Sequence, residues 1–350
     1  MNLEDLLAKN RPLAGAHAGR RCFVIANGPS LAVQDLRPLE HDVKIVVTGF
    51  FRHPQARQVR PEYWVLADPY FWAEPDKHFR PVLELAQEAA VPTRLFMPTG
   101  GAATFASAAL GPLIDLHFVH YDGARGIDRP IDFTQGVPPF GQNVVIVALM
   151  LALYLGCDPI YLVGCDHDFM KTRREEYEGM RVAHFYPGSV NAASEHLSWD
   201  QWSAAMQRMV FEYEQLRAYA ARWGFHVFNA TRGGALEVFP RVDYESLFAP
   251  GPTPTPAAAV VGEPHALAGA AIEKLNAGDA ATALVLVDAA LARNVVRPDR
   301  VEGLEYVKAL ALAKLGRTAE ALVMARQDRL VNPANAAKSQ TLVEELEGLL

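Results

Sequence analysis

Short apolar runs, each emptying into small or polar residues, recur along the first two thirds of the chain, and longer segments of mixed pattern separate them. Arg20–Ala26 (RRCFVIA) predicts a strand opening into Asn27-Gly28-Pro29-Ser30-Leu31. Val43–Thr48 predicts a second, ending at Gly49-Phe50-Phe51-Arg52, and Tyr63–Ala67 a third, ending at Asp68-Pro69. Further strands are predicted over Arg94–Met97, Ile160–Gly164 and Phe225–Asn229. The continuous apolar run Ile160-Tyr161-Leu162-Val163 is the pattern of a strand covered on both faces. Helical spacing is predicted over 3–9, 80–90, 144–155 and 199–223. In the third of these Val144, Val147, Ala148, Met150, Leu151 and Leu155 place apolar groups on nearly every face, so a largely buried helix is expected, stopped by Gly156.

Strands alternating with helices imply an α/β fold, a Rossmann-like, doubly wound and mostly parallel sheet. Residues 1–248 are expected to form this domain. Residues 249–264 (APGPTPTPAAAVVGEP) read as an extended Pro/Ala-rich linker, and 265–350 as a small all-helical domain. Within that tail Leu275-x-x-Gly278-Asp279 with Ala283-Leu284 is echoed by Leu315-Gly316-Arg317 with Ala321-Leu322. Self-similarity of this kind is that of tetratricopeptide-like repeats, which predicts a contact surface for a protein partner or for self-association.

Composition narrows the field. The balance of 33 basic and 40 acidic residues, a formal charge of −7, argues against a general nucleic-acid binder. The three cysteines, Cys22, Cys157 and Cys165, lie in apolar contexts without metal-ligand spacing, as reduced core residues of a cytoplasmic protein do. The first residues show no secretory pattern and no run reaches spanning length, so at most peripheral membrane contact is expected.

Ligands of open α/β sheets bind outside the carboxyl ends of the strands, which directs attention to the residues standing there. Gly28 allows close approach of the backbone, and Ser30 is placed to cap a following helix while neighbouring N–H groups face an anion. The turn is not a GxGxxG fingerprint, which disfavours nicotinamide or flavin. Asp166, His167 and Asp168 form an acidic cluster after the predicted fifth run. The charged, then aromatic stretch beyond Phe169 reads as a lid carrying His184, Tyr186, His196 and Trp199.

The NGPSL turn after a first strand, combined with LGCDPIYLVGCDHDF and a last strand leading to NATRGG, resembles the bacterial sialyltransferases that use a CMP-sialic acid donor. It is similar also to the related motility-accessory-factor and 6-hydroxymethylpterin-pyrophosphokinase-like proteins. The likeness covers residues 20–248. It implies a glycosyltransferase acting on a surface glycan or glycoconjugate, with Asn27, Gly28, Pro29 and Ser30 at the nucleotide and Asp68 and Asp166 contacting the donor. A lid histidine, His184 or His196, is implied as general base. Three positions depart from the sialyltransferase pattern: Asp168 replaces a tyrosine, Gln142-Asn143 a Thr-Ser pair, and Gly49 an asparagine. Asp166-His167 and His184-Phe185 suit the pyrophosphokinase-like branch.

No cofactor is expected under the first reading; under the second, Asp166, His167 and Asp168 would hold Mg²⁺ with a nucleoside triphosphate. A third reading is a non-catalytic nucleotide-binding scaffold acting through its helical tail.

Overall fold

A computed structural model of the 350-residue chain describes residues 2–89, 92–105, 110–180, 182–186, 197–248, 264–293, 301, 303–332 and 335–349. It resolves into two compact units. One comprises Met1–Ala218 with Val227–Tyr244, the other Tyr219–His226 with Glu245–Leu350.

The first unit is built on a seven-stranded parallel sheet. Its strands are β1 (Cys22–Ile25), β2 (Val43–Val47), β3 (Tyr63–Val65), β4 (Thr93–Pro98), β5 (Ile114–Val119), β6 (Ile160–Val163) and β7 (Val227–Asn229). Their spatial order is β5-β4-β3-β2-β1-β6-β7, every neighbouring pair parallel. From β1 the chain steps outward through β2 to β5, then returns to lay β6 against the free edge of β1. The order reverses between β1 and β6, and a parallel sheet opens a crevice at such a point. Cys22 pairs with Val43 on one side and Ile160 on the other, so β1 is an interior strand, and all four of its residues are buried.

Six of the seven strands coincide with the apolar runs. The seventh, β5, reads Ile-Asp-Leu-His-Phe-Val and occupies an edge, with Ile114, Asp115 and Leu116 only half-buried. Polar residues alternate with apolar ones there, which hides the strand from a search for continuous apolar runs. A second difference lies after β1. The expected helix is a five-residue 3₁₀ turn, Pro29–Val33, and Ser30 does not cap it.

The central helix, Val144–Tyr154, packs over β1, β2 and β3 with ten of its residues buried. Asn143 caps it, its side chain accepting from the Val145 N–H at 2.8 Å. Gly156, at φ 75°, takes the left-handed conformation that ends the helix. This helix precedes a strand parallel to the others, so its amino terminus lies at the carboxyl edge of the sheet. Cys22, Cys157 and Cys165 are free thiols in the core.

The second unit contains Pro264–Asn276, Ala280–Arg293, Leu304–Lys314, Thr318–Val331 and Ala336–Glu347, each helix packed on the one before it. Gly278 and Gly316, both at positive φ, make the two tight turns that the repeated pattern marked. Small and apolar residues fill the interior, among them Ala271, Ala283, Ala309 and Ala325, all fully buried. Apart from Pro264, the linker falls outside the described residues. No helix among the described residues is long and apolar enough to cross a membrane.

Candidate functional site

At the reversal between β1 and β6 the loops carrying all three sequence motifs meet on one residue, Asp166. It is 5% exposed and follows β6 by two turn residues, Gly164 and Cys165. Its Oδ1 accepts the Ser30 N–H at 3.0 Å and its Oδ2 the Ser30 hydroxyl at 2.8 Å. Its carbonyl accepts the Ala235 N–H at 2.6 Å, in the turn after β7. The Cys165 N–H donates to Thr231 Oγ1 at 2.9 Å. NGPS, GCDHDF and NATRGG are thus parts of one knot.

Two glycines make the knot possible. A Cβ on Gly28 would overlap the Asp166 carboxylate and lie 2.5 Å from the Gly164 carbonyl oxygen. One on Gly234, which sits at φ 87°, would lie 2.6 Å from the Asp166 carbonyl oxygen. Burial raises the pKa of Asp166, the two Ser30 donors oppose that rise, and the charge of Asp168 adds to it.

This geometry corrects one expectation. The N–H groups of the first turn do not face an outside anion: Ser30 donates to Asp166, Gly28 to the Gly164 carbonyl at 2.8 Å, and Leu31 to the Gly28 carbonyl at 3.1 Å. Pro29 has no N–H to offer. Asp166 itself fills the anion position, so it braces the turn and is not aimed outward.

Asn27 is different. Its amide donates to the Val47 carbonyl at 3.1 Å and to Thr48 Oγ1 at 2.5 Å, while its Oδ1 is buried without a partner. A buried acceptor with no donor costs about 1–3 kcal/mol, which a ligand hydroxyl or amine would relieve. Thr48 stands at φ 37°, an uncommon backbone conformation for a β-branched residue, and holds this contact at the end of β2.

His167 and Asp168 leave the cluster in other directions. His167, at φ 52° and 6% exposed, is 2.8 Å from the Tyr213 hydroxyl and stacks on Phe169. Burial lowers its pKa to about 4, so it is a neutral core histidine at physiological pH. Asp168 is exposed and pairs with Lys171 at 2.7 Å. Asp166, His167 and Asp168 therefore do not converge on a common point. Among the described residues no group of three or more His, Cys, Asp or Glu side chains could hold a metal ion. The residues assigned to Mg²⁺ do not fit it.

Of the two lid histidines, His196 lies outside the described residues. His184 is half-buried beside the Asn27 carbonyl at the end of β1, and that carbonyl accepts the Phe185 N–H at 3.0 Å. Burial lowers the His184 pKa, the Asn27 carbonyl opposes the change, and the Arg52 charge adds to it. His184 stacks on Tyr186 with ring centroids 5.0 Å apart, and Phe185 meets His53 edge-on at 5.1 Å. The 182–186 segment thus lies across the ends of β1 and β2.

Asp68, after β3, is half-buried and accepts the Tyr70 hydroxyl at 3.3 Å; burial raises its pKa. Gln142 is exposed, and its N–H donates to the buried carboxylate of Glu212 at 3.0 Å. Gln142-Asn143 accordingly serves the entrance of the central helix through Glu212 and the Asn143 cap. Glu212, Arg52 and Tyr121, whose pKa is raised by burial and by the charges of Glu212 and Asp68, are candidate site residues that no motif marked. Of these, only Arg52 stood beside a visible signal, the Phe50-Phe51 pair.

No protein-family model matches the chain, and neither a curated protein nor a solved structure is found similar to it. The functional reading rests on these residues and their geometry.

Proposed function

We propose that the first unit is a Rossmann-like, doubly wound nucleotide-binding domain, and that the protein is a glycosyltransferase using a nucleotide-sugar donor, with a CMP-sialic-acid-like donor favoured. The observation that carries this reading is the placement of His184 beside Asn27 at the carboxyl end of β1. It places the imidazole at the residue whose buried side-chain oxygen lacks a donor. A ribose hydroxyl or a base amine would satisfy Asn27 Oδ1, and Asp68, with its raised pKa, would face the donor from the end of β3.

In the reaction an acceptor hydroxyl attacks the anomeric carbon of the donor sugar. The bond from that carbon to the phosphate oxygen breaks, its electron pair leaves with the nucleotide, and the unprotonated imidazole of His184 takes the hydroxyl proton. A histidine with a lowered pKa is unprotonated, hence competent, at neutral pH. Asp166 positions the turn that carries Asn27 and does not touch the reacting atoms.

The magnesium-dependent pyrophosphokinase reading is the weaker one, because the three residues it needs point apart. For the helical tail we propose contacts with a protein partner or a second copy, on the strength of its stacked hairpins. Three buried free thiols support a cytoplasmic setting.

The direct test is release of CMP from CMP-sialic acid by the full chain with an extract of surface glycans as acceptor, without added metal. Release that depends on the acceptor supports the reading. Turnover of ATP in the presence of Mg²⁺, with CMP-sialic acid left intact, would replace it with the pyrophosphokinase reading.

A further inference from the structure

With every N–H of the Gly28–Leu31 turn engaged inside the protein, a phosphate arriving at this edge needs positive charge from elsewhere. Arg52 ends the 3₁₀ turn Thr48–Arg52 that follows β2. Its side chain is exposed, and its guanidinium lies over two rings, 5.3 Å from the centroid of Phe51 and 4.8 Å from that of Tyr186. Among the described residues no carboxylate pairs with it.

Tyr186 is itself fixed. It stacks on His184, and a Cβ on Gly49 would come within 2.7 Å of its hydroxyl, so the absence of a side chain at Gly49 lets the ring reach Arg52. The departure at Gly49 from the asparagine of the sialyltransferase pattern acquires a physical reason here. The charge of Arg52 adds to the lowering by burial of the His184 and His78 pKa values and opposes the rise that burial gives Tyr186 and Tyr70. These groups come from the turn after β3 and from the 182–186 segment, so the guanidinium stands among residues gathered from three loops.

We propose that Arg52 is the anion-binding residue of this site, holding the phosphate of a nucleotide or nucleotide-sugar donor beside His184. The proposal rests on the nucleotide reading above. Stacking on two rings leaves the guanidinium edge, with its forked donors, free to grip two phosphate oxygens at once. The same stacking restricts the side chain before the ligand arrives, which reduces the ordering cost of binding. A lysine would keep the charge and lose both the planar stack and the fork.

Titration calorimetry of the full chain with CMP, and with cytidine as the uncharged control, tests this in the wild type, Arg52→Ala and Arg52→Lys. Arg52→Ala is expected to weaken CMP binding about tenfold to a hundredfold, the range for loss of one charge-assisted contact. Cytidine binding should stay as in the wild type, and Arg52→Lys should recover only part of the CMP affinity. Because Arg52 is exposed, the melting temperature should not change. Equal weakening of CMP and cytidine, or unchanged CMP binding in Arg52→Ala, overturns the assignment while leaving the nucleotide reading in place. If the wild type binds none of CMP, UDP, GDP and ATP, the nucleotide reading falls and this assignment falls with it.

Discussion

Asp166 grips Ser30 through both carboxylate oxygens, at 3.0 Å to the backbone N–H and 2.8 Å to the hydroxyl, and so ties the end of β6 to the turn after β1. Removing the carboxylate would leave a half-buried N–H and hydroxyl without an acceptor, at about 1–3 kcal/mol for each group left unmade. Asp166→Ala should therefore unfold at lower urea concentration, with a loss of roughly 2–4 kcal/mol. Asp166→Asn keeps one acceptor oxygen and should lose about half as much. Equal stability of Asp166→Ala and wild type would show that the knot does not hold the two loops.

A pH effect on stability follows from His167. Its folded pKa, about 4, lies below the ordinary 6.5, so between those values the unfolded chain binds a proton that the folded chain does not. The stabilising contribution of the neutral ring is complete above pH ~6.5 and is lost as pH falls toward 4, by about 3 kcal/mol in all. His167→Asn should tolerate the left-handed backbone and remove this titration. Urea midpoints measured between pH 4 and 7 should fall less steeply with decreasing pH in that variant. The same slope in both proteins would contradict a buried neutral His167.

For His184, the expected consequence is kinetic. His184→Gln keeps an N–H donor beside the Asn27 carbonyl and loses the base, so transfer should slow by about 10²–10⁴-fold with donor KM little changed. In the wild type the rate should decline as pH falls through the His184 pKa, which burial sets below ~6.5, because protonation removes the base. A stopped-flow or discontinuous pH profile that rises toward acid pH would exclude His184 from this role.

The sheet was largely legible in the sequence because buried parallel strands are continuous apolar runs. Cys22–Ile25 and Ile160–Val163 could be read directly, as could the stop at Gly156. The edge strand Ile114–Val119 was not, since its half-solvated pattern is shared with loops. The three motifs were visible as separate turns, yet their convergence on Asp166 is a long-range relation that local pattern does not encode. The reading of the Gly28–Ser30 N–H groups as an anion cradle failed for the same reason: a carboxylate 136 residues away already occupies it. His167 looked like a member of an acidic cluster, and only its left-handed backbone at φ 52°, which turns the ring toward Tyr213, removes it. Arg52 and Tyr186 are distant in sequence and adjacent in space, and the lid pattern that named Tyr186 gave no sign of its partner.

The central claim, a nucleotide site where the sheet order reverses, is tested most directly by thermal unfolding of the full chain with CMP, CDP, UDP, GDP and ATP, each with and without Mg²⁺. A ligand at a hundred times its Kd stabilises the folded state by about 2.7 kcal/mol, which is a shift of several degrees in Tm. The proposed function predicts that CMP raises Tm without metal. No shift with any of the five nucleotides would contradict the claim.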